Sequence, residues 1–210
     1  MKLTNNIICW GSAVIPILYF FYLLPDMPAE VPTHFNSKGE ADAYGSPWTV
    51  LFAIAIIVIP VNLILQYAPK IEPKQKIKTE QQGYQRIRVM LSLFMASIAL
   101  IVVHSTVNDF SVNMLSIVIW LMFTLLGNFI QSIKHNYFLG VRTPWTLESE
   151  VVWKKTHRFM GRTFFFGGIG GMIVSLFLGM EWSMYLLLSF SIIASIFAFA
   201  YSYVEFKKLN

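Results

Sequence analysis

Along the whole chain, apolar runs of about twenty residues alternate with short polar segments. A helix needs roughly 20 consecutive apolar residues to cross the hydrocarbon core of a bilayer. Six such runs lie at about 5–25, 48–68, 87–107, 111–133, 159–180 and 183–204. The third and fourth are joined around Asn108 and Asp109, and the last two by a turn near Gly179, Met180 and Glu181. The pattern predicts an all-α polytopic membrane protein of six transmembrane helices. Pro16 and Pro60 fall near the middle of the first two runs, where each removes a backbone hydrogen bond and favours a kink. Tyr19, Tyr22 and Trp48 sit near run ends, as interfacial aromatics do. The first run is too long for a signal peptide, and no small-residue cleavage site follows it. No internal repeat of the kind that builds inverted-repeat transporters is visible.

Composition agrees with the pattern. Of 210 residues, 56% are hydrophobic and only 13% charged, with a mean hydropathy of +0.58. An ordinary soluble domain is about 25% charged. This excludes a soluble enzyme, a disordered chain and a secreted disulfide scaffold, the last also because Cys9 is the single cysteine. The polar segments set the orientation, because Lys and Arg accumulate in short cytoplasmic loops. Lys2 precedes the first run. Lys70, Lys74, Lys76, Lys78, Arg86 and Arg88 lie between the second and third. Lys134, Arg142, Lys154, Lys155, Arg158 and Arg162 lie between the fourth and fifth, and Lys207 and Lys208 end the chain. Only Lys38 lies on the other side, so both termini are expected in the cytoplasm. The net charge of +5 then reads as a cytoplasmic face against anionic lipid, with no direct nucleic-acid partner. The expected organisation is a two-helix membrane domain at 1–68 with an ordered extracellular loop at 26–47, a basic cytoplasmic loop at 69–86, and a four-helix domain at 87–210 with a cytoplasmic motif loop at 134–158.

The extracellular loop is dense in turn formers, with Pro28, Pro32, Asn36, Gly39 and Gly45. Residues 31–35 read as a short extended segment folding back over 37–39, so that the loop caps the bundle. His34, Phe35, Asn36, Gly39 and Asp42 are its candidate site. His34 and Asp42, eight residues apart without a third ligand, are a weak metal signal, and neither a metal nor a cofactor is expected. The alternative is that Asn36 and Asp42 hydrogen-bond turn backbone and His34 caps the bundle. The acidic surplus of Asp26, Glu30, Glu40 and Asp42 over Lys38 favours a cationic partner outside the cell.

The inner segment carries more chemistry. Asn128, Gln131, Ser132, His135 and Asn136 fall on one face if the fourth helix continues to 136. A polar stripe inside a membrane helix marks either a site or interhelical glue. Gly140 permits a bend. Thr143 with Pro144, or Thr146, suits a helix start. Glu148 and Glu150 then stand at the positive end of a helix, and Lys154, Lys155, His157 and Arg158 at its negative end. A short cytoplasmic helix at 147–158 follows. On it, Ser149, Trp153, Thr156 and His157, with Thr146, form one wall facing the stripe, while Leu147, Val151, Lys154 and Arg158 face lipid headgroups. Arg142 is placed to bind backbone carbonyls, a carboxylate or a phosphate. His157 with Glu148 or Glu150 can be written as an acid–base pair. No nucleophile elbow, phosphate-cradling loop or zinc-ligand pair accompanies it, so the chain reads as a non-enzyme. Gly167 and Gly171 make a GxxxG that reads as close helix packing.

The run Asn136, Tyr137, Phe138, Leu139, Gly140, Val141, Arg142, Thr143, Pro144, Trp145 and Thr146, followed by Trp153, Thr156, His157, Arg158, Gly161 and Arg162, resembles the signature of the SdpI family of bacterial membrane proteins. The outer loop, with its Val-Pro-Thr-His-Phe-Asn run at 31–36, Gly39 and Asp42, resembles a small membrane domain of unknown function found ahead of that signature. The resemblance implies a multi-pass protein of the bacterial cytoplasmic membrane whose partners are the lipid bilayer, a secreted peptide toxin and a cytoplasmic transcriptional repressor held at the membrane. Two other classes stay open. One is a small-solute or lipid-headgroup transporter using the stripe with Arg142 and His157. The other is a membrane enzyme acting on lipid or cell-wall precursors.

Overall fold

A computed structural model describes residues 3–36, 38–71, 82–108 and 113–209. Lys2, Ser37, Lys74, Lys76, Lys78 and Asp109, which entered the orientation and turn arguments, lie outside the described residues. The chain is helical almost throughout: α1 (Leu3–Leu23), α2 (Pro47–Ile71), α3 (Gln82–His104), α4 (Asn113–Phe129), the single turn α5 (Pro144–Glu148), α6 (Glu150–Ser175) and α7 (Met180–Lys207). Between α1 and α2 stands a two-stranded antiparallel hairpin, β1 (Val31–Phe35) and β2 (Ala41–Gly45). Among the described residues, five segments are long and apolar enough to cross a membrane: Leu3–Asp26, Pro47–Ile71, Gln82–His104, Met114–Ser132 and Met180–Lys207. The lipid-facing character shows in side chains such as Phe52, Ile56, Phe177 and Ile192, all exposed as only a non-aqueous solvent tolerates in such number. The outcome is an all-α polytopic membrane protein.

The helix α6 corrects one expectation. Residues 147–158 are not a separate cytoplasmic helix. The chain breaks only at Ser149, whose extended backbone lets its hydroxyl accept from the Val152 N–H and cap the next helix. From Glu150 the helix runs uninterrupted to Ser175, about 39 Å at 1.5 Å per residue. The predicted wall and the start of the fifth apolar run are therefore one rigid rod.

Two packing units meet in this architecture. In the first, Phe20 and Ala13 of α1, Val50, Ile54 and Val58 of α2, and Ala99 and Val103 of α3 form a core that also takes in Val31 of the hairpin. Polar cross-links tie the same helices: Trp10 Nε1 to Gln66 at 2.9 Å, Asn5 Nδ2 to Gln85 at 3.1 Å, Arg88 Nη1 to Asn6 at 2.8 Å and Ser92 Oγ to Asn62 at 2.7 Å. Pairing each polar group across a helix interface is what makes it tolerable away from water.

In the second unit α6 packs lengthways on α4, and glycine decides how closely. A Cβ on Gly127 would stand 2.3 Å from the Phe165 nitrogen, one on Gly161 2.9 Å from the Gly127 oxygen, one on Gly168 2.6 Å from the Thr124 nitrogen, and one on Gly171 2.4 Å from the Trp120 ring. The seam thus uses Gly161, Gly168 and Gly171 against Gly127 and Trp120, whose Nε1 donates to Ser175 at 2.8 Å. The GxxxG pair packs closely, as its spacing suggested, but against two helices: a Cβ on Gly167 would come within 2.3 Å of Phe190 on α7, and one on Gly171 within 2.4 Å of Trp120 on α4.

Substituting Gly127→Ala is expected to destabilise the protein by about 1–3 kcal/mol through overpacking. Gly170→Ala, where a Cβ meets nothing within 4 Å, should be neutral or slightly stabilising. Unfolding in mixed micelles, followed by circular dichroism, measures both.

Candidate functional site

The inner motif forms a knot of irregular backbone held by side chains. The helix α4 ends at Phe129, a 3-10 turn covers Ile130–Ser132, and residues 133–143 have no regular structure. The expected polar stripe is therefore not formed. Asn128 and Gln131 are exposed, while His135 and Asn136 have left the helix and are buried. A transport site built on that stripe loses its geometry. The reason lies in Asn136, fully buried, which closes an Asx turn: its Oδ1 accepts from the N–H groups of Phe138 and Leu139, both at 2.7 Å, and its Nδ2 donates to the carbonyls of Lys134 and Leu139. That local pattern competes with helix continuation.

The wall predicted on α6 does assemble. Trp153 and His157 are 1% exposed and Thr156 is fully buried. Trp153 Nε1 donates to the Ile133 carbonyl at 2.9 Å. Its ring lies edge-on to His135, at 5.1 Å between centroids, and stacks on His157 at 4.0 Å. His157 Nδ1 lies 2.8 Å from the Trp153 carbonyl, and its Nε2 accepts from the Val141 N–H at 3.0 Å. These partners require the neutral tautomer with the proton on Nδ1. Burial pushes the imidazole pKa down from 6.5 to about 4, opposed in part by the Trp153 carbonyl and helped by His135. Both ring nitrogens are engaged by backbone, so no acid–base pair with Glu148 or Glu150 is formed. Glu150 instead approaches His135, at 3.8 Å.

Gly140 passes directly over this ring. Its φ is +111°, a region open to glycine. A Cβ there would come within 2.3 Å of His157 Nε2. Beyond it Arg142, exposed, donates from Nη1 to the Tyr137 carbonyl at 2.7 Å and pins the bend. Thr143 caps α5 in a reciprocal box with Thr146, with Pro144 at the first helical position. The Thr143 hydroxyl also donates to Ser202 on α7 at 2.9 Å. Trp145 packs edge-on against Phe199 and tilted on Tyr203 of α7. Of the expected headgroup face, Val151, Lys154 and Arg158 are exposed on α6, while Leu147 is half-buried on α5, on the other side of the break at Ser149. The sequence reading missed Glu205. Though buried, it sits between Lys155 and Lys208, both at 2.6 Å. An acidic residue closing an apolar run, beside basic residues, was the available signal.

The hairpin is a separate group. His34 Nδ1 lies 2.5 Å from Asp42 Oδ1 across the two strands. Asn36 Oδ1 accepts from the N–H groups of Lys38 and Glu40, and Gly39 takes φ +86°. Phe35 pairs with Ala41 across the strands. Val31 anchors the hairpin in the first core. Among the described residues, no group of three or more His, Cys, Asp and Glu side chains stands close enough to hold a metal.

A bundle of long apolar helices with a basic, side-chain-knotted turn at one end and a small hairpin between the first two helices is a multi-pass membrane protein. Residues 132–202 match the SdpI/YfhL protein family, and residues 11–59 match a domain of unknown function, DUF1648. The chain is 28% identical to the immunity protein SdpI of Bacillus subtilis (strain 168) over 209 residues, covering 97% of this chain and 94% of that protein. The resemblance read from the inner motif is thus to the SdpI family, with the smaller domain ahead of it. No solved structure matches the chain.

The neutral His157 makes stability pH-dependent with a defined sign. Above pH 6.5 neither the folded nor the unfolded state protonates it. Between 6.5 and about 4 the unfolded chain takes up a proton that the folded site refuses, so stability falls with pH by about 1.4 kcal/mol per unit. In His157→Gln this contribution should vanish, giving a shallower acid limb in unfolding midpoints measured from pH 7 to 4.

Proposed function

We propose that this chain is an integral membrane immunity protein that protects its host from a secreted antimicrobial peptide. The observation that carries this reading is the likeness to a protein named for immunity along nearly the whole of both chains, rather than over one shared motif. The topology proposed with it is six spans with both termini in the cytoplasm. The sixth span is the apolar part of α6, whose glycines and arginines keep it out of the five segments that qualify by composition. The basic residues Lys134, Arg142, Lys154, Lys155 and Arg158 put the motif on the cytoplasmic side by the positive-inside rule.

The hairpin then faces outward. Its His34–Asp42 and Asn36–Glu40 pairs stiffen a small platform on which Asp26, Glu30, Glu40 and Asp42 outnumber Lys38, a surface suited to a cationic peptide. For sensing, a toxin has to bind two bundle states with different affinity. The long rod α6 reaches from the seam with α4 to the motif and is the element suited to carrying such a change inward. A cytoplasmic repressor is the partner proposed to read it, through the exposed Arg142 and the Val151, Lys154 and Arg158 face.

Loss of the gene should sensitise the host to culture supernatants of neighbouring strains, and Arg142→Ala should reduce protection while membrane abundance stays unchanged. Full protection by Arg142→Ala would remove the inner motif from the mechanism. In a Cys9→Ala background, a membrane-impermeant maleimide should label Lys38→Cys on intact cells and Tyr137→Cys only after lysis. The reverse pattern would overturn the orientation.

A further inference from the structure

The helices α3 and α4 leave a groove of about 1130 Å³ between them. One end is polar: Gln82, Gln85 and Arg86 of α3, with Asn5 of α1. The rest is apolar, with Leu93 and Phe94 on one wall and Leu121 and Leu125 on the other. From Arg86 to Ser97 along α3 is about 16 Å, and Val118 to Phe129 on α4 runs the same distance in the opposite sense. That is half the roughly 30 Å hydrocarbon core, or one leaflet. Arg86 is exposed and has no carboxylate partner among the described residues. Arg88, in the same helical turn, adds positive charge while its Nη1 is held by Asn6 at 2.8 Å.

We propose that this groove is a binding site for an anionic phospholipid, one acyl chain lying between α3 and α4 and the phosphate resting on Arg86. The charge pattern selects the ligand. A guanidinium at the mouth matches a phosphate in a two-point contact, the neighbouring amides supply further polar groups, and the walls offer only apolar surface. The depth selects lipid over a transmembrane helix, which would need a trough as long as the whole core. The orientation proposed above places Arg86 at the cytoplasmic surface, the leaflet rich in anionic lipid. The site does not depend on the toxin reading, and its test reads neither toxin nor orientation.

The experiment is native mass spectrometry of the detergent-purified full chain, incubated with equimolar phosphatidylglycerol and phosphatidylcholine carrying identical acyl chains. The wild type should retain phosphatidylglycerol about fivefold over phosphatidylcholine, the scale of one basic residue at a membrane surface. Arg86→Gln should bring the ratio close to one. Arg162→Gln, an exposed cation elsewhere on the bundle, should leave it unchanged, and Leu121→Trp should lower both adducts by filling the trough. Size-exclusion profiles show that each variant is folded. Equal retention by the wild type, an unchanged ratio in Arg86→Gln, or displacement by inorganic phosphate would overturn the proposal. So would a disulfide-linked dimer of Leu121→Cys in the Cys9→Ala background, which would assign the trough to a second copy of the chain.

Discussion

Irregular backbone at the edge of a membrane bundle has to find partners for its own N–H and C=O groups, and this constraint governs the turn between α4 and α5. A peptide group buried without a partner costs several kcal/mol in an apolar medium. Between α4 and α5 the partners are side chains. Asn136 takes four backbone groups, His157 two, and Trp153, Arg142 and Thr146 the carbonyls of Ile133, Tyr137 and Val141. The residues that look most chemical in the sequence are thus the ones that close the turn. Their polar groups are engaged with the backbone they fold.

The rod α6 links that surface to the rest. Its lower part supplies Trp153, Thr156 and His157, and its upper part the glycines that bring it against α4. Because Gly127 and Gly161 allow backbones to touch, neither helix can slide or rotate without collision. A change at one end must therefore move the rod as a body or break its contacts. The ion pairs of Glu205 with Lys155 and Lys208 clamp the same rod to the end of α7.

The first packing unit has a different character. The helices α1, α2 and α3 are joined by paired amides, hydroxyls and one arginine across their interfaces, and the hairpin is held by Val31 in their apolar core. The hairpin's outer residues pair with one another, so its shape is set locally while its position is set by the bundle. The trough beside α3 lies where this unit meets the second, and there apolar surface is left for lipid to cover.

The length of the apolar runs, the cap at Thr143 and the turn-forming loop at 26–47 were all legible in the sequence. Each depends on neighbours within a few residues or on composition alone. Three features were not. The helix α4 stops at Phe129 because a buried Asn136 satisfies a turn that periodicity cannot register. The predicted short helix at 147–158 fuses into α6 because nothing after Ser149 interrupts the backbone. Gly167 packs on Phe190 of α7 and Gly171 on Trp120 of α4, a division between two neighbours that their spacing does not announce. Only the tertiary structure lays Gly140 and Val141 on His157 or sets Gly127 against Gly161, since such proximities arise from how segments are arranged in space and leave no periodic trace along the chain.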